Sequence, residues 1–160
     1  MAKEFPPAKV REVVGEVAAL LKERKETVSV AETAAGGIIS ASLLSTPGAS
    51  GFYKGAGWTD EHIKSYEGPT TDIVTGLASN VREKLGSTYT VCESGTAGPT
   101  GGNTPNRTPG YVALAVATES GTYKRELSTG LGDDREANMI AFAVEALGLL
   151  RDVIKGDVKL

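Results

Sequence analysis

The sequence has few of the residues that form metal sites, disulfide bonds and base-stacking surfaces. Its 160 residues include one cysteine and one histidine, and only 6% of them are aromatic. A single cysteine excludes an intrachain disulfide, and one cysteine with one histidine cannot supply the ligands of a Cys/His zinc site. We therefore expect a protein without a metal centre.

Long apolar runs and an excess of positive charge are also missing. No stretch approaches the roughly 18 apolar residues of a transmembrane helix, and the first ten residues lack the apolar core of a secretory signal. Seventeen Lys and Arg against 20 Asp and Glu give a net charge of −3, whereas nucleic-acid binding needs a basic surface. We expect a cytoplasmic protein that binds neither nucleic acid nor membranes, with one domain over residues 1–160.

The hydrophobic pattern predicts a single three-layer α/β/α domain with a mostly parallel mixed sheet that includes one antiparallel strand. Predicted helices cover residues 7–25, 36–44, 70–86 and 133–154, and predicted strands cover 27–31, 52–59, 89–92, 111–118 and 122–127. Asp133 and Glu136 have the spacing of a capping box at the start of the last helix.

Glycine is abundant, with 20 residues, and it concentrates where strands end. Gly36 and Gly37 follow the first predicted strand, and Gly95, Gly98 and Gly101 follow the third. Ligands bind beyond the carboxyl ends of parallel strands, and glycine lets them approach the backbone closely. Neither segment is a known phosphate loop, so a small-ligand site and ordinary tight turns both remain open.

Four motifs in these segments carry a resemblance to a known family. They are AETAAGG at residues 31–37, GWTDEHIK at 57–64, SGTAGPTGG at 94–102 and GDDRE at 132–136. In this order, and over nearly the whole chain, the sequence resembles the CinA C-terminal domain family. Active members of that family are nicotinamide-nucleotide amidases, which hydrolyse the carboxamide of nicotinamide mononucleotide to nicotinate mononucleotide and ammonia.

The resemblance implies a site as well as a reaction. It aligns Thr33 with the family's serine nucleophile and Lys64 with its base, and it requires no cofactor. Amide groups near Ala35 would hold the oxyanion, and Arg135 would bind the phosphate. We expect a mononucleotide ligand and a homo-oligomer. The substrate-binding residues implied are Glu32, Ala34, Ala35, Gly36, Gly37, Trp58, Thr59, Gly95, Thr96, Ala97, Gly98 and Arg135.

The sequence departs from the family at the positions aligned with its catalytic motif. Thr33 carries a methyl group that crowds the approach to a carbonyl, and Ala34 and Ala35 replace a thiol and a hydroxyl. Two alternatives to a Thr33–Lys64 amidase therefore stay open: a catalytically disarmed nucleotide-binding module, and a pocket recruited for another small-molecule reaction. Thr33 is also a favoured residue type for capping the helix that follows, and Glu32 is expected to bind backbone amides of this turn.

Overall fold

A computed structural model describes residues 5–56 and 68–160, and the elements follow the predicted order. The helix predicted at residue 36 begins at Ile38, after both glycines, and residues 57–59 of the second predicted strand lie outside the described residues. The elements are α1 (Ala8–Arg24), β1 (Val28–Glu32), α2 (Ile38–Leu44), β2 (Tyr53–Ala56), α3 (Thr71–Leu85), β3 (Tyr89–Gly95), β4 (Tyr111–Ala117), β5 (Thr122–Ser128) and α4 (Arg135–Lys155), with 3-10 turns at Ala49–Gly51 and Pro105–Arg107.

The strands form one five-stranded sheet in the order β2-β1-β3-β4-β5. β1 pairs in parallel with both β2 and β3, whereas β4 is antiparallel to β3 and to β5. Within the described sheet, β4 is thus the one strand that runs against the others, which confirms the predicted mixed sheet. The carboxyl ends of β1, β2 and β3 lie at the same edge as the start of β4.

The two faces of the sheet are covered differently. Helices α1, α2 and α4 pack on a face of larger side chains, which includes Val30, Val91 and Leu114. Helix α3 packs with Val74, Leu77 and Val81 on the opposite face, where the strand side chains are small. The two faces can differ in this way because successive residues of a strand point to opposite sides of the sheet. That small face consists of Ala31, Cys92, Ala113, Ala115 and Ala117. Cys92 is fully buried in it, as expected for a lone core cysteine.

Helix α4 begins one residue later than the capping-box prediction requires. The Asp134 carboxylate, and not that of Asp133, caps the helix by accepting the N–H of Ala137 at 3.1 Å. The side-chain amide of Asn138 donates to the carbonyls of Gly132 and Ala97 at 2.9 and 3.0 Å. These bonds tie the preceding turn to the loop after β3 at the first turn of the helix. Among the described residues, no helix is long and apolar enough to cross a membrane.

The cap of α4 is testable with a pair of neighbouring substitutions. Asp134→Ala should lower the free energy of unfolding by about 1 kcal/mol, because the Ala137 amide loses its acceptor. Asp133→Ala is the matched control and should change stability by a few tenths of that value. Urea unfolding followed by circular dichroism measures both. A larger loss for Asp133→Ala would contradict the assigned cap.

The small-residue face predicts a marked intolerance of added volume. Ala115→Leu should cost about 1–3 kcal/mol of stability, because the larger side chain has no room beneath α3. Lys124 lies directly opposite Ala115 in the β4–β5 pairing and is exposed, so Lys124→Leu serves as the control and should be nearly neutral. Equal effects of the two substitutions in urea unfolding would argue against close packing of α3.

Candidate functional site

The loop after β3 borders a cleft at the carboxyl edge of the sheet. The cleft has a volume of ≈ 360 Å³ and is walled by backbone and small side chains, with two arginines among them. Five of the predicted site residues meet here: Gly95, Thr96, Ala97, Gly98 and Arg135. The described lining consists of these five together with Gly68, Pro69, Thr100, Gly101 and Arg107.

Two glycines in this wall are required by the path of the backbone. A Cβ on Gly95 would lie 2.7 Å from the ring of Phe142 and 2.8 Å from the carbonyl oxygen of Tyr111. Gly98 has a φ of +90°, and a Cβ there would approach the backbone of Asp133 to 3.1 Å. The loop therefore lies directly against α4 and the start of β4, which brings the first turn of α4 to the cleft.

The charge of the cleft comes from Arg107 and Arg135. Arg135 donates from Nη1 to the carbonyl oxygen of Gly98 at 2.7 Å, so its guanidinium is held against the loop with other donors still available. None of the ion pairs found among the described residues involves Arg135. Such a fork of N–H donors beside open backbone suits a phosphate or carboxylate. Sequence reasoning missed Arg107, which lies outside the four motifs, although a cation between two glycine-rich segments was a usable signal.

The turn after β1 is held by a buried carboxylate that the sequence analysis did not single out. Glu93, at the carboxyl end of β3, is fully buried, and its Oε2 accepts the N–H of Thr33 at 3.2 Å and of Ala35 at 2.9 Å. Burial, with a smaller contribution from the nearby charge of Glu32, raises the pKa of Glu93 to about 7 against the opposing effect of these N–H donors. The usable signal was an acidic residue at the end of an otherwise buried strand.

Glu32 binds backbone amides, as its position in the turn suggested. Its Oε1 accepts the N–H of Ile39 at 2.9 Å, and its Oε2 accepts the N–H and hydroxyl of Ser40 at 3.1 and 3.0 Å. Because Gly37 at the N-cap has no side chain to offer, Glu32 supplies the acceptors that the first turn of α2 needs. The Glu32 carboxylate is thereby directed at α2.

Thr33 does not cap α2. Its Oγ1 is buried and has no hydrogen-bond partner among the residues that the structure describes. The carbonyl of Thr33 accepts the N–H of Gly36 at 3.1 Å, and the N–H of Ala35 is bound to Glu93. Two of the amides considered for an oxyanion are therefore already bonded within the turn.

The predicted residues thus fall into three groups. Gly95–Gly98 and Arg135 share the cleft. Thr33 lies in the neighbouring turn with Ala34, Ala35, Gly36 and Gly37, next to Glu32 at the end of β1, and none of these six is among the residues that line the cleft. Trp58, Thr59 and Lys64 lie outside the described residues.

Two solved structures share this fold. The competence/damage inducible protein CihA from Agrobacterium tumefaciens superposes with a TM-score of 0.81 at 21% identity, over 96% of this chain and 99% of that one. The competence damage-inducible protein A (ComA) from Klebsiella pneumoniae gives a TM-score of 0.80 at 22% identity, over 91% and 97% of the two chains. At these identities the likeness establishes the fold.

Sequence comparison establishes the family. A CinA-like protein of Sulfurihydrogenibium is 30% identical over 155 residues, which is 88% of this chain and 38% of the relative. A CinA-like protein of Shewanella piezotolerans is 35% identical over 123 residues, or 69% and 29% of the two chains. The chain thus spans well under half the length of these relatives. The family profile described as CinA C-terminal domain matches residues 10–59 and 56–154. The chain belongs to the CinA C-terminal domain family.

Proposed function

We propose that this protein is an amidase-like hydrolase that converts nicotinamide mononucleotide to nicotinate mononucleotide and ammonia, with Thr33 as its nucleophile. The observation that carries the proposal is the cleft that contains Arg107 and Arg135, at the same sheet edge as the turn of Thr33. The register of β1 and β3 pairs Glu32 with Glu93, and β3 continues to Gly95, so the two loops leave the same edge of the sheet.

The cleft fits the phosphate-bearing part of such a substrate. Arg135 retains donors beyond its bond to Gly98, and Gly95, Gly98 and Gly101 line the cleft beside it. A volume of ≈ 360 Å³ lies within the range of small-molecule sites. The phosphate would lie against Arg135, with the ribose along the Gly95–Gly98 loop.

The reaction would proceed through an ester on Thr33. Its Oγ1 attacks the carboxamide carbon, a C–O bond forms, and the C–N bond breaks as the nitrogen is protonated and leaves as ammonia. Water then hydrolyses the ester and releases the carboxylate. The family resemblance assigns the base to Lys64.

A second candidate, a nucleotide-binding module without turnover, is favoured by the state of the turn. The Oγ1 of Thr33 is buried, and the amides of Ala35 and Gly36 are bonded within the protein. Attack therefore requires a rearrangement of this turn when substrate binds. If the turn is rigid, the cleft would bind a mononucleotide and leave it unchanged.

Ammonia release from nicotinamide mononucleotide separates the two candidates. The wild-type protein should release ammonia, and Thr33→Ala should reduce kcat by about 100-fold or more because the nucleophile is lost. Thr33→Ser is the matched variant, since it keeps the hydroxyl and removes the crowding methyl, and it should retain or raise the rate.

Thermal melting completes that test. A rise in Tm with nicotinamide mononucleotide, without ammonia release, would establish the binding module and exclude the amidase. Absence of both turnover and a shift in Tm would exclude both candidates for this ligand. Equal release by wild type and Thr33→Ala would exclude Thr33 as the nucleophile.

The role of Arg135 predicts a charge-specific loss of affinity. Arg135→Gln should weaken binding of nicotinamide mononucleotide by about 10-fold or more, because a hydrogen bond to a charged group is lost. Binding of the riboside, which lacks the phosphate, should be unaffected. Lys84→Gln removes one positive charge from the exposed end of α3 and controls for net charge. Calorimetry that finds equal losses for nucleotide and riboside would contradict phosphate binding by Arg135.

A further inference from the structure

Two buried polar atoms in the turn after β1 lack partners among the described residues, and they belong to groups already joined by a hydrogen bond. They are Oγ1 of Thr33 and Oε1 of Glu93. The other oxygen of the same carboxylate, Oε2, accepts the N–H of Thr33 at 3.2 Å. The unpaired hydroxyl therefore belongs to the residue whose amide the same carboxylate already binds.

Each of these atoms offers what the other needs. A buried carboxylate oxygen without a donor is costly, and a buried hydroxyl without an acceptor is costly too. A rotation about the Cα–Cβ bond of Thr33 carries its hydroxyl around the amide that the carboxylate already binds. The Glu32 carboxylate, which pairs with Glu93 across the strands, is bound to the first turn of α2.

We propose that Glu93 is a further catalytic residue of the hydrolase and acts as its base, in place of the Lys64 that the resemblance assigns: its Oε1 accepts the hydroxyl proton of Thr33 as Oγ1 attacks the carboxamide carbon. This inference rests on the proposed function. The proton held by Glu93 passes to the amide nitrogen as the C–N bond breaks, ammonia leaves, and Glu93 returns to the carboxylate. In the second half of the reaction Glu93 takes a proton from the attacking water and returns it to Thr33 as the ester is cleaved.

The surroundings of Glu93 suit a base that works near neutral pH. Burial, the first cause, raises the pKa of its carboxyl to about 7, and a base is most effective when its pKa is close to the working pH. Of the titratable groups of the described residues, Glu32 acts on it, and its charge raises the pKa further toward that value; Cys92, in the adjacent position, is itself affected by the charge of Glu93. Burial keeps the pKa of the Cys92 thiol well above its usual value, so that thiol stays neutral.

The variant Glu93→Gln keeps the shape of the side chain and an acceptor for the two amides. Because the pKa of Glu93 is higher in the folded protein than the ordinary value of 4.5, ionisation of Glu93 costs stability. The wild-type free energy of unfolding should therefore fall as the pH rises from about 4.5 to about 7, and this fall should be absent in Glu93→Gln. The variant is expected to be folded at neutral pH, which urea unfolding at several pH values checks.

The kinetic test compares the pH dependence of ammonia release from nicotinamide mononucleotide. Wild-type kcat/KM should rise with pH through an apparent pKa near 7, whereas Glu93→Gln should lose about 100-fold or more of kcat and lack that rise. Glu126→Gln makes the same change at an exposed acid on β5 and should match the wild type. A Glu93→Gln protein with the wild-type rate or the wild-type rise overturns the role of Glu93 alone. A wild type that releases no ammonia overturns the proposed function and this role with it.

A second measurement tests the Thr33–Glu93 contact without turnover. In a carboxyl-labelled protein, NMR titration of Glu93 should give a higher midpoint in Thr33→Val than in wild type, because the variant loses a hydroxyl that stabilises the carboxylate. Thr75→Val, which removes a hydroxyl on α3, is the control and should leave the midpoint unchanged. An unchanged midpoint in Thr33→Val overturns the contact, and a loss of activity in Glu93→Gln would then be structural.

Discussion

The parallel pairing of β1 with β3 determines where everything else at the site lies. Its register places Glu32 beside Glu93 at the carboxyl edge of the sheet, and the chain makes a tight turn immediately after the first of them. The two carboxylates bind backbone amides at the two ends of this turn. Glu32 binds the amides of Ile39 and Ser40 at the start of α2, and Glu93 binds the amides of Thr33 and Ala35. A shift of β1 by one residue against β3 would send the Glu32 carboxylate to the other face of the sheet and separate it from Glu93.

Helix α4 locks the second loop to this frame. Phe142 packs where a Cβ of Gly95 would be, and Asn138 binds the carbonyls of Ala97 and Gly132. The loop after β3 and the turn before α4 therefore share one buried amide side chain. Arg135 reaches the cleft because the bonds of Asn138 hold the first turn of α4 beside the loop after β3. The bond from Arg135 to the carbonyl of Gly98 is a further contact between the same helix and the same loop. The shape of the cleft is thus a packing result, whether or not a ligand is present.

The sequence predicted the fold well because the fold depends on periodic patterns. Regular spacing of Val10, Val14, Val17 and Leu21 indicated α1, and each of these side chains is buried. The start of α3 at Thr70 followed from a local cap, whose Oγ1 accepts the N–H of Ile73 at 3.2 Å. The cap of α4 was wrong by one residue, since Asp134 and not Asp133 accepts the N–H of Ala137. Two adjacent Asp residues are equally favoured caps, so the local pattern could not choose between them.

The sequence predicted those parts of the candidate site that depend on local backbone conformation. Glycines at strand ends indicated the cleft, since a turn of this kind leaves a signature in the local sequence. Glu93 was missed because its role depends on the pairing of β1 with β3, which brings it to residues about sixty positions earlier in the chain. Arg107 was missed for a similar reason, since it enters the cleft only through the fold of the loop that follows β3.

The chemistry of the turn also bears on why an acid stands at position 93. If its task were only to bind two backbone amides, a neutral side chain would supply an acceptor without the cost of burying a charge. An acid with one oxygen unpaired among the described residues is a poor solution for stability alone. Buried polar atoms without a hydrogen-bond partner concentrate at functional sites, where such an atom takes part in the reaction. Ala34 and Ala35 place no polar side chain in the turn, so Thr33 has the one side-chain hydroxyl there that can donate to the unpaired oxygen of Glu93.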